Sequence, residues 1–184
     1  MKKVIVQLGA CNGKDHVRQF KDEELYLVEP NLQHIESLQE QYPDSTIVTN
    51  AIVPLDNIGT VTMWYSNLDG PKYEVTSLDK YHILDHGYPE ESLESFTTDG
   101  ITLDELLDAF ELKKVDILFL DIEGVEEKVL LEFPFKKYDI TELQVEALHL
   151  RDRDKLTTFL SKQGYRYTGD TYDYNNFDIL FRKE

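Results

Sequence analysis

Short apolar segments that stop at turn-forming residues recur along this chain and constrain its fold more than any other feature. Residues 4–8 form the first segment, and a turn at 9–13 (Gly-Ala-Cys-Asn-Gly) follows it directly. Residues 25–29 repeat the pattern and stop at Pro30. Runs of this length are typical of buried strands that lead into tight turns.

Segments with helical spacing lie between the apolar runs. Residues 102–105 (Thr-Leu-Asp-Glu) form a capping box, in which the first and last side chains each bond the other residue's backbone N–H. Asn31 is a suitable N-cap, and it precedes apolar residues at helical spacing, namely Leu32, Ile35, Leu38 and Tyr42. Both segments are predicted to be helices, and a third helix is expected to end at Gly164.

Further strand-like segments complete the pattern, at residues 46–48, 61–65, 115–120, 143–148, 165–168 and 177–181. The segment 115–120 is the most apolar and is expected at the centre of a sheet. Strands that alternate with helices predict an α/β fold with a Rossmann-like, doubly wound, mostly parallel sheet. The last two strands flank a polar turn at 175–176 and are expected to form an antiparallel C-terminal hairpin. The length of 184 residues suits one domain spanning residues 1–184.

Residues 67–95 show no clear period and carry several tyrosines and proline-containing turns. We expect this long segment to be irregular. Long loops in compact domains are often functional, so the segment is a candidate lid over a substrate pocket. A surface loop without a functional role is the alternative.

The acidic composition limits the classes of ligand. The chain has 19 basic and 36 acidic residues, for a formal charge of -17, which repels nucleic-acid phosphates. We expect no nucleic-acid partner, and no membrane partner because no apolar stretch reaches the length of a span. Cys11 is the only cysteine, so no intramolecular disulfide can form. A cytoplasmic protein with a small-molecule substrate is expected, and the sequence carries no signal of oligomeric state.

The turn at 9–13 and Glu29 are candidates for binding a cofactor that contains ribose. Ligands of doubly wound sheets bind beyond the carboxyl ends of the strands, where both features lie. Backbone can approach a ligand closely in this turn because Gly9 and Gly13 lack side chains. Glu29 follows Gly9 by about 20 residues, the offset at which an acidic residue bonds ribose hydroxyls. A simple turn beside a surface glutamate is the alternative.

Asp121 and Glu123 follow the most apolar segment and are candidates for chemistry. Both carboxylates would share one side if the strand continued through them, whereas Glu123 could instead begin the following helix. Such a pair can act as a general base, as a hydrogen-bond acceptor for substrate or as cation ligands, and helix capping alone is the alternative. A cation site at Asp121, Glu123, Glu146 and His149 is a minor hypothesis. The spacing of the remaining histidines predicts no metal site.

The order and spacing of several motifs resemble the FkbM methyltransferase family over nearly the whole chain. Residues 4–13 are similar to its first motif, which typically ends Gly-Ala-Asn-x-Gly, and residues 27–31 are similar to its second. Other segments that resemble family motifs are 50–51, 102–104, 115–124 and 144–146.

The resemblance implies a class I methyltransferase fold that binds S-adenosylmethionine and transfers its methyl group, mostly to hydroxyl oxygens. It implies that Glu29 holds the ribose hydroxyls and that Asp121 and Glu123 lie near the transferred methyl group. We expect one of these two carboxylates to be the catalytic base, and the acceptor to be a small molecule or sugar. The other cofactor-binding residues that the resemblance implies are Gly9, Ala10, Cys11, Asn12, Gly13, Pro30, Asn50 and Ala51, together with Asp121.

Two positions depart from the family pattern. Cys11 stands where asparagine is typical, and Phe119 stands where lysine is common, two positions before Asp121. A cofactor-binding module without catalytic activity is therefore an alternative function. An NAD-dependent oxidoreductase is a second alternative because Glu29 would suit NAD equally, although the fingerprint Gly-x-Gly-x-x-Gly is absent.

Overall fold

A central sheet organises the protein, whose computed structural model describes residues 1–14, 16–68, 75–148, 150–169, 171–172 and 177–184. Seven strands form this sheet in the order β10-β11-β9-β8-β1-β2-β3. The strands are β1 (Val4–Leu8), β2 (Glu24–Val28), β3 (Thr46–Val48), β8 (Lys114–Leu120), β9 (Asp139–Glu146), β10 (Tyr165–Tyr167) and β11 (Asp178–Lys183). The five from β9 to β3 are parallel, while β11 is antiparallel to both β9 and β10. The predicted α/β fold with an antiparallel C-terminal hairpin is confirmed.

Helices cover both faces of the sheet. The helices α3 (Leu103–Ala109), α4 (Glu126–Glu132) and α5 (Arg153–Lys162) pack on one face, and α1 (Ile35–Gln41) packs on the other. A further helix, α2 (Lys80–Asp85), contacts residues 59–66 and 76–77, which lie outside this sheet. The predicted capping box starts α3, with the N–H of Glu105 donating to Thr102 Oγ1 at 3.1 Å and the N–H of Thr102 donating to Glu105 Oε2 at 2.9 Å. Within the described residues, no helix combines the length and apolar character that a membrane span requires.

The core divides into two layers because successive side chains of a strand point to opposite faces. Val6 and Leu8 of β1 belong to a layer that also contains buried residues of α3, α4 and α5. Ile5, which directly precedes Val6, belongs to the layer on the other face, which includes Leu38 of α1 and Phe119 of β8. The doubly wound arrangement follows from this two-sided burial.

A second, smaller sheet was not predicted. It has the order β4-β7-β5-β6, with β4 (Ala51–Ile52), β5 (Gly59–Ser66), β6 (Thr76–Ser77) and β7 (Leu93–Ile101). The predicted strand at 61–65 lies in this sheet, where β5 pairs with β7 in antiparallel register. Its core is small, formed by Ala51, Val53 and Met63.

The segment 67–95 is more regular than expected in the part that the structure describes. Residues 75–95 include β6, α2 and the beginning of β7, so the expectation of an irregular segment is wrong there. These elements are short and mostly polar, so they lack the periodic apolar residues from which secondary structure is predicted. Residues 69–74 and the predicted turn at 175–176 lie outside the described residues.

Candidate active site

The carboxyl ends of β1, β2 and β8 open into a cavity with a volume of about 220 Å³. The smaller sheet closes its far side with residues that include Met63, Thr76 and Leu78. Eight of the predicted site residues line this cavity: Gly9, Ala10, Cys11, Glu29, Pro30, Ala51, Asp121 and Glu123. The structure therefore assembles the separate sequence motifs around one space.

Three predicted cofactor residues do not line the cavity. A Cβ atom on Gly13 would lie 2.5 Å from the ring of Tyr42, so this glycine makes room for α1. The Asn12 side chain accepts a hydrogen bond from the N–H of Lys14 at 3.1 Å. The Asn50 amide donates to the carbonyl of Asp99 at 3.3 Å.

Gly9 is required by the close approach of two strands at the floor of the cavity. Its φ is +75°, in the left-handed region that favours glycine. A Cβ atom at this position would lie only 1.7 Å from the carbonyl oxygen of Asp121. The N–H groups of Gly9 and Ala10 both donate to the carbonyl of Val28 at 2.9 Å, which fixes the turn against β2.

Glu29 is buried, with 4% of its surface exposed, and it joins the turn to the end of β2. Its Oε2 accepts the N–H of Cys11 and its Oε1 accepts the N–H of Asn31, both at 2.7 Å. The pKa of Glu29 is raised to about 7: burial is the largest cause and the nearby charge of Asp121 adds to it, while the two backbone hydrogen bonds lower the pKa.

Asp121 lies beside a histidine that the sequence analysis did not select. His16 Nε2 is 3.4 Å from Asp121 Oδ2, and the His16 ring stacks on Phe119 with 5.2 Å between ring centroids. The other ring nitrogen lies 3.3 Å from the amide nitrogen of Gln144. His16 is therefore fixed on both sides at the cavity wall, which it also lines.

Glu123 lies in neither β8 nor α4, so neither predicted placement is correct. Its φ is +58°, a conformation that is uncommon for a residue with a side chain. The hydroxyl of Ser77 donates to its carbonyl oxygen at 2.8 Å, and its Oε2 lies 2.8 Å from His82 Nε2. Burial raises the pKa of Glu123 well above its ordinary value, with further contributions from the charges of Asp121 and Glu126. Burial lowers the pKa of His82.

Two further carboxylates lie behind the cavity. Glu126 accepts the N–H groups of Ile122 at 2.7 Å and Gly124 at 3.0 Å, and burial raises its pKa to about 7. Burial and the surrounding acidic residues raise the pKa of Glu146 to about 10.

The predicted cation set is divided in the structure. Carboxylate oxygens of Asp121, Glu126 and Glu146 lie within 4.8 Å of one another. A carboxylate oxygen of Glu123 instead lies within 4.8 Å of ring nitrogens of His82 and His86. His149 lies outside the described residues.

The fold and the cavity define an α/β protein with a cavity at the carboxyl edge of a mostly parallel sheet, the place where doubly wound sheets commonly bind ligands. The chain belongs to the methyltransferase FkbM domain family, whose model matches residues 7–167. The family resemblance seen in the sequence motifs is thereby confirmed. No curated protein matches the chain.

Two solved structures illustrate the similarity to other proteins. The fibrillarin pre-rRNA processing protein of Methanococcus jannaschii is 11% identical, with a TM-score of 0.47 over 98% of this chain and 65% of that one. The precorrin-6y C5,15-methyltransferase of Geobacter metallireducens is 11% identical, with a TM-score of 0.49 over 99% of this chain and 81% of that one.

Proposed function

We propose that this protein transfers a methyl group from S-adenosylmethionine to a hydroxyl oxygen of a small molecule or sugar. The observation that carries the proposal is the convergence of the turn after β1, Glu29 and the pair Asp121 and Glu123 on one cavity. Family membership supports methyl transfer, and the cavity's side chains support the choice of cofactor and acceptor.

The residues around the cavity suit S-adenosylmethionine. Each carboxylate oxygen of Glu29 accepts one backbone N–H and keeps capacity for a second donor, as a ribose diol requires. Gln7 Oε1 is buried at the cavity and accepts no hydrogen bond from the described residues, so a ligand can satisfy it. S-adenosylmethionine, when bound, supplies a methyl group on a positively charged sulfur, which suits a cavity lined by carboxylates.

Asp121 or Glu123 accepts the proton of the acceptor hydroxyl. Both line the cavity, and the raised pKa of Glu123 makes its carboxylate a stronger base than an exposed glutamate. The remaining contribution of the protein is alignment of donor and acceptor, worth up to about 7–11 kcal/mol in favourable cases.

The charge of the cavity favours a neutral acceptor over a phosphorylated one. None of the described residues that line it is lysine or arginine, and the lining includes Glu29, Asp121 and Glu123. A phosphate group would meet these carboxylates without a compensating cation, and the formal charge of -17 adds to the repulsion. A sugar or another neutral hydroxyl compound avoids this cost.

Substitution of the two carboxylates tests the proposal. Purified protein is incubated with S-adenosylmethionine and a panel of neutral monosaccharides and small hydroxyl compounds, and S-adenosylhomocysteine release is measured. We expect Asp121→Asn or Glu123→Gln to lower kcat by roughly 10² to 10⁴ without loss of cofactor affinity. Asp22→Asn, an exposed carboxylate, is the control. Full turnover in both variants would contradict the assignment, and cofactor binding with no methyl transfer to any compound would favour a non-catalytic module.

A further inference from the structure

Two histidines and one carboxylate meet at the rim of the cavity. A ring nitrogen of His82, a ring nitrogen of His86 and a carboxylate oxygen of Glu123 lie within 4.8 Å of one another. We propose that these three residues bind a divalent transition-metal ion of the Zn²⁺ class. With Glu123 bound to the ion, Asp121 is the proton acceptor of the proposed function. The affinity for the ion does not depend on methyl transfer, so this inference and the proposed function can fail separately.

The helix α2, which was not predicted from the sequence, gives His82 and His86 a spacing that suits a metal ion. His82 lies in α2 and His86 is its C-cap, so the two are four residues apart and share one face of the helix. Their ring centroids are 4.7 Å apart. A pair of histidines at this spacing on one helical face is a recognised zinc-binding arrangement.

The ring of His86 is oriented by a contact common in metal sites. Its Nδ1 donates to the carbonyl oxygen of His82 at 2.8 Å. Metal-binding imidazoles usually donate their second ring nitrogen to a carbonyl or carboxylate, which fixes the ring. The contact therefore holds the His86 ring in one orientation beside His82.

The backbone around Glu123 brings the third ligand into place. Glu123 has a φ of +58°, and strain of this kind in a residue with a side chain is concentrated at functional sites. Gly124 follows with a φ of +101°, which glycine adopts without strain. A Cβ atom on Gly124 would lie 3.0 Å from His82 Nδ1, so glycine allows the imidazole to pack there. Glu123 Oε2 is then 2.8 Å from His82 Nε2, close to the separation of about 3.3 Å between two ligands of a tetrahedral zinc ion.

The ligand types select the class of ion. Imidazole nitrogen suits zinc and its transition-metal neighbours, whereas Mg²⁺ and Ca²⁺ prefer oxygen ligands. Three protein ligands leave one position of a tetrahedral ion open, as in catalytic rather than structural zinc sites. Because Glu123 also lines the cavity, that open position is available at the rim to water or to an oxygen of an acceptor.

Calorimetric titration of the chelator-treated, tag-free protein with Zn²⁺ tests the site. We expect a single-site isotherm, weakened at least about tenfold in His86→Ala and unchanged in Glu91→Gln, an exposed acidic residue whose charge is not among those acting on His82. His86 is exposed, so its substitution should leave the fold intact, and circular dichroism checks this.

Titrations with Co²⁺ and Mg²⁺ separate the histidine site from the acidic group of Asp121, Glu126 and Glu146. Co²⁺ should give the visible absorption of a nitrogen-containing tetrahedral site, lost in His86→Ala, and Mg²⁺ should not compete with Zn²⁺. Zn²⁺ binding that persists in His86→Ala, or that Mg²⁺ displaces, would place the ion at the acidic group and overturn the inference. The absence of Zn²⁺ binding to the wild-type protein would overturn it as well.

Discussion

The backbone N–H of Cys11 donates a 2.7 Å hydrogen bond to Glu29, which ties the turn after β1 to the end of β2. Position 11 therefore contributes to the site through its backbone, whatever its side chain. The Cys11 thiol lies 3.9 Å from His34 Nε2. The departure from the asparagine that is typical of the family thus preserves the contact to Glu29.

Replacing Cys11 with asparagine should preserve cofactor affinity and leave stability unchanged or slightly higher. The φ of Cys11 is +46°, and asparagine tolerates this region better than other residues with side chains. Cys11→Val, which is β-branched, should instead cost about 1–2 kcal/mol of unfolding free energy. Urea unfolding of both variants measures the difference, and equal stabilities would show that the backbone at position 11 is not held in this conformation.

Gly9→Ala should destabilise the protein far more than Gly87→Ala. Both glycines have positive φ, +75° and +83°, so both substitutions carry the conformational cost of about 1–2 kcal/mol. At Gly9 the new methyl group would also meet the carbonyl oxygen of Asp121, whereas nothing lies within 4 Å at Gly87. We expect a total loss of about 3 kcal/mol or more for Gly9→Ala. Similar melting temperatures for the two variants would contradict the close approach of β1 to β8.

Phe119→Lys, which restores the lysine common in the family, should lower stability by more than about 4 kcal/mol. Phe119 is fully buried and packs against His16, Phe20 and Tyr172. A lysine at this position would bury a charged ammonium group away from water. Phe119→Leu is the matched control and should cost about 1–3 kcal/mol by urea unfolding. Tolerance of the lysine would mean that the side chain reaches the cavity.

Glu146→Gln should stabilise the protein increasingly as the pH rises. The pKa of Glu146 is about 10 in the folded protein and near 4.5 when unfolded, so the folded state binds the proton more tightly. The stability that this group contributes is fully present below pH 4.5 and is lost as pH rises towards 10, at up to about 1.4 kcal/mol per pH unit. Glutamine is neutral throughout and avoids this loss.

Melting temperatures of wild type and Glu146→Gln at pH 5 and pH 8 measure this effect. The difference between the two proteins should be larger at pH 8. Glu40→Gln, an exposed carboxylate, should show no such trend. A difference that is equal at both pH values would contradict the raised pKa of Glu146.

The main sheet could be predicted because its strands carry the strongest sequence signal. Residues 115–120 are buried on both faces and are almost continuously apolar, as the centre of a parallel sheet requires. The smaller sheet could not be predicted in the same way. Strand β7 (Leu93–Ile101) is largely exposed and contains Ser, Thr and Asp, so its sequence is typical of a loop.

The part of the candidate site that directly follows the central strands could be predicted from the sequence. The turn at 9–13, Glu29 and Asp121 all follow central strands, whose ends must meet at one edge of the sheet. The contact between His82 and Glu123 joins residues 41 positions apart, and α2 has too few turns for its period to be recognised. His16 was missed because its partners lie across the sheet, on strands distant in sequence.

Calorimetric titration with S-adenosylmethionine tests whether Glu29 holds this cofactor in the cavity, with parallel titrations of NAD and of the variants Glu29→Ala and Glu36→Ala. Glu36 is an exposed carboxylate of α1, and circular dichroism verifies that both variants are folded. We expect S-adenosylmethionine to bind wild type and Glu36→Ala with micromolar affinity. Its binding to Glu29→Ala should be at least tenfold weaker, which corresponds to a loss of about 1.4 kcal/mol or more of binding free energy. Tighter binding of NAD, or no binding of S-adenosylmethionine, would contradict this expectation.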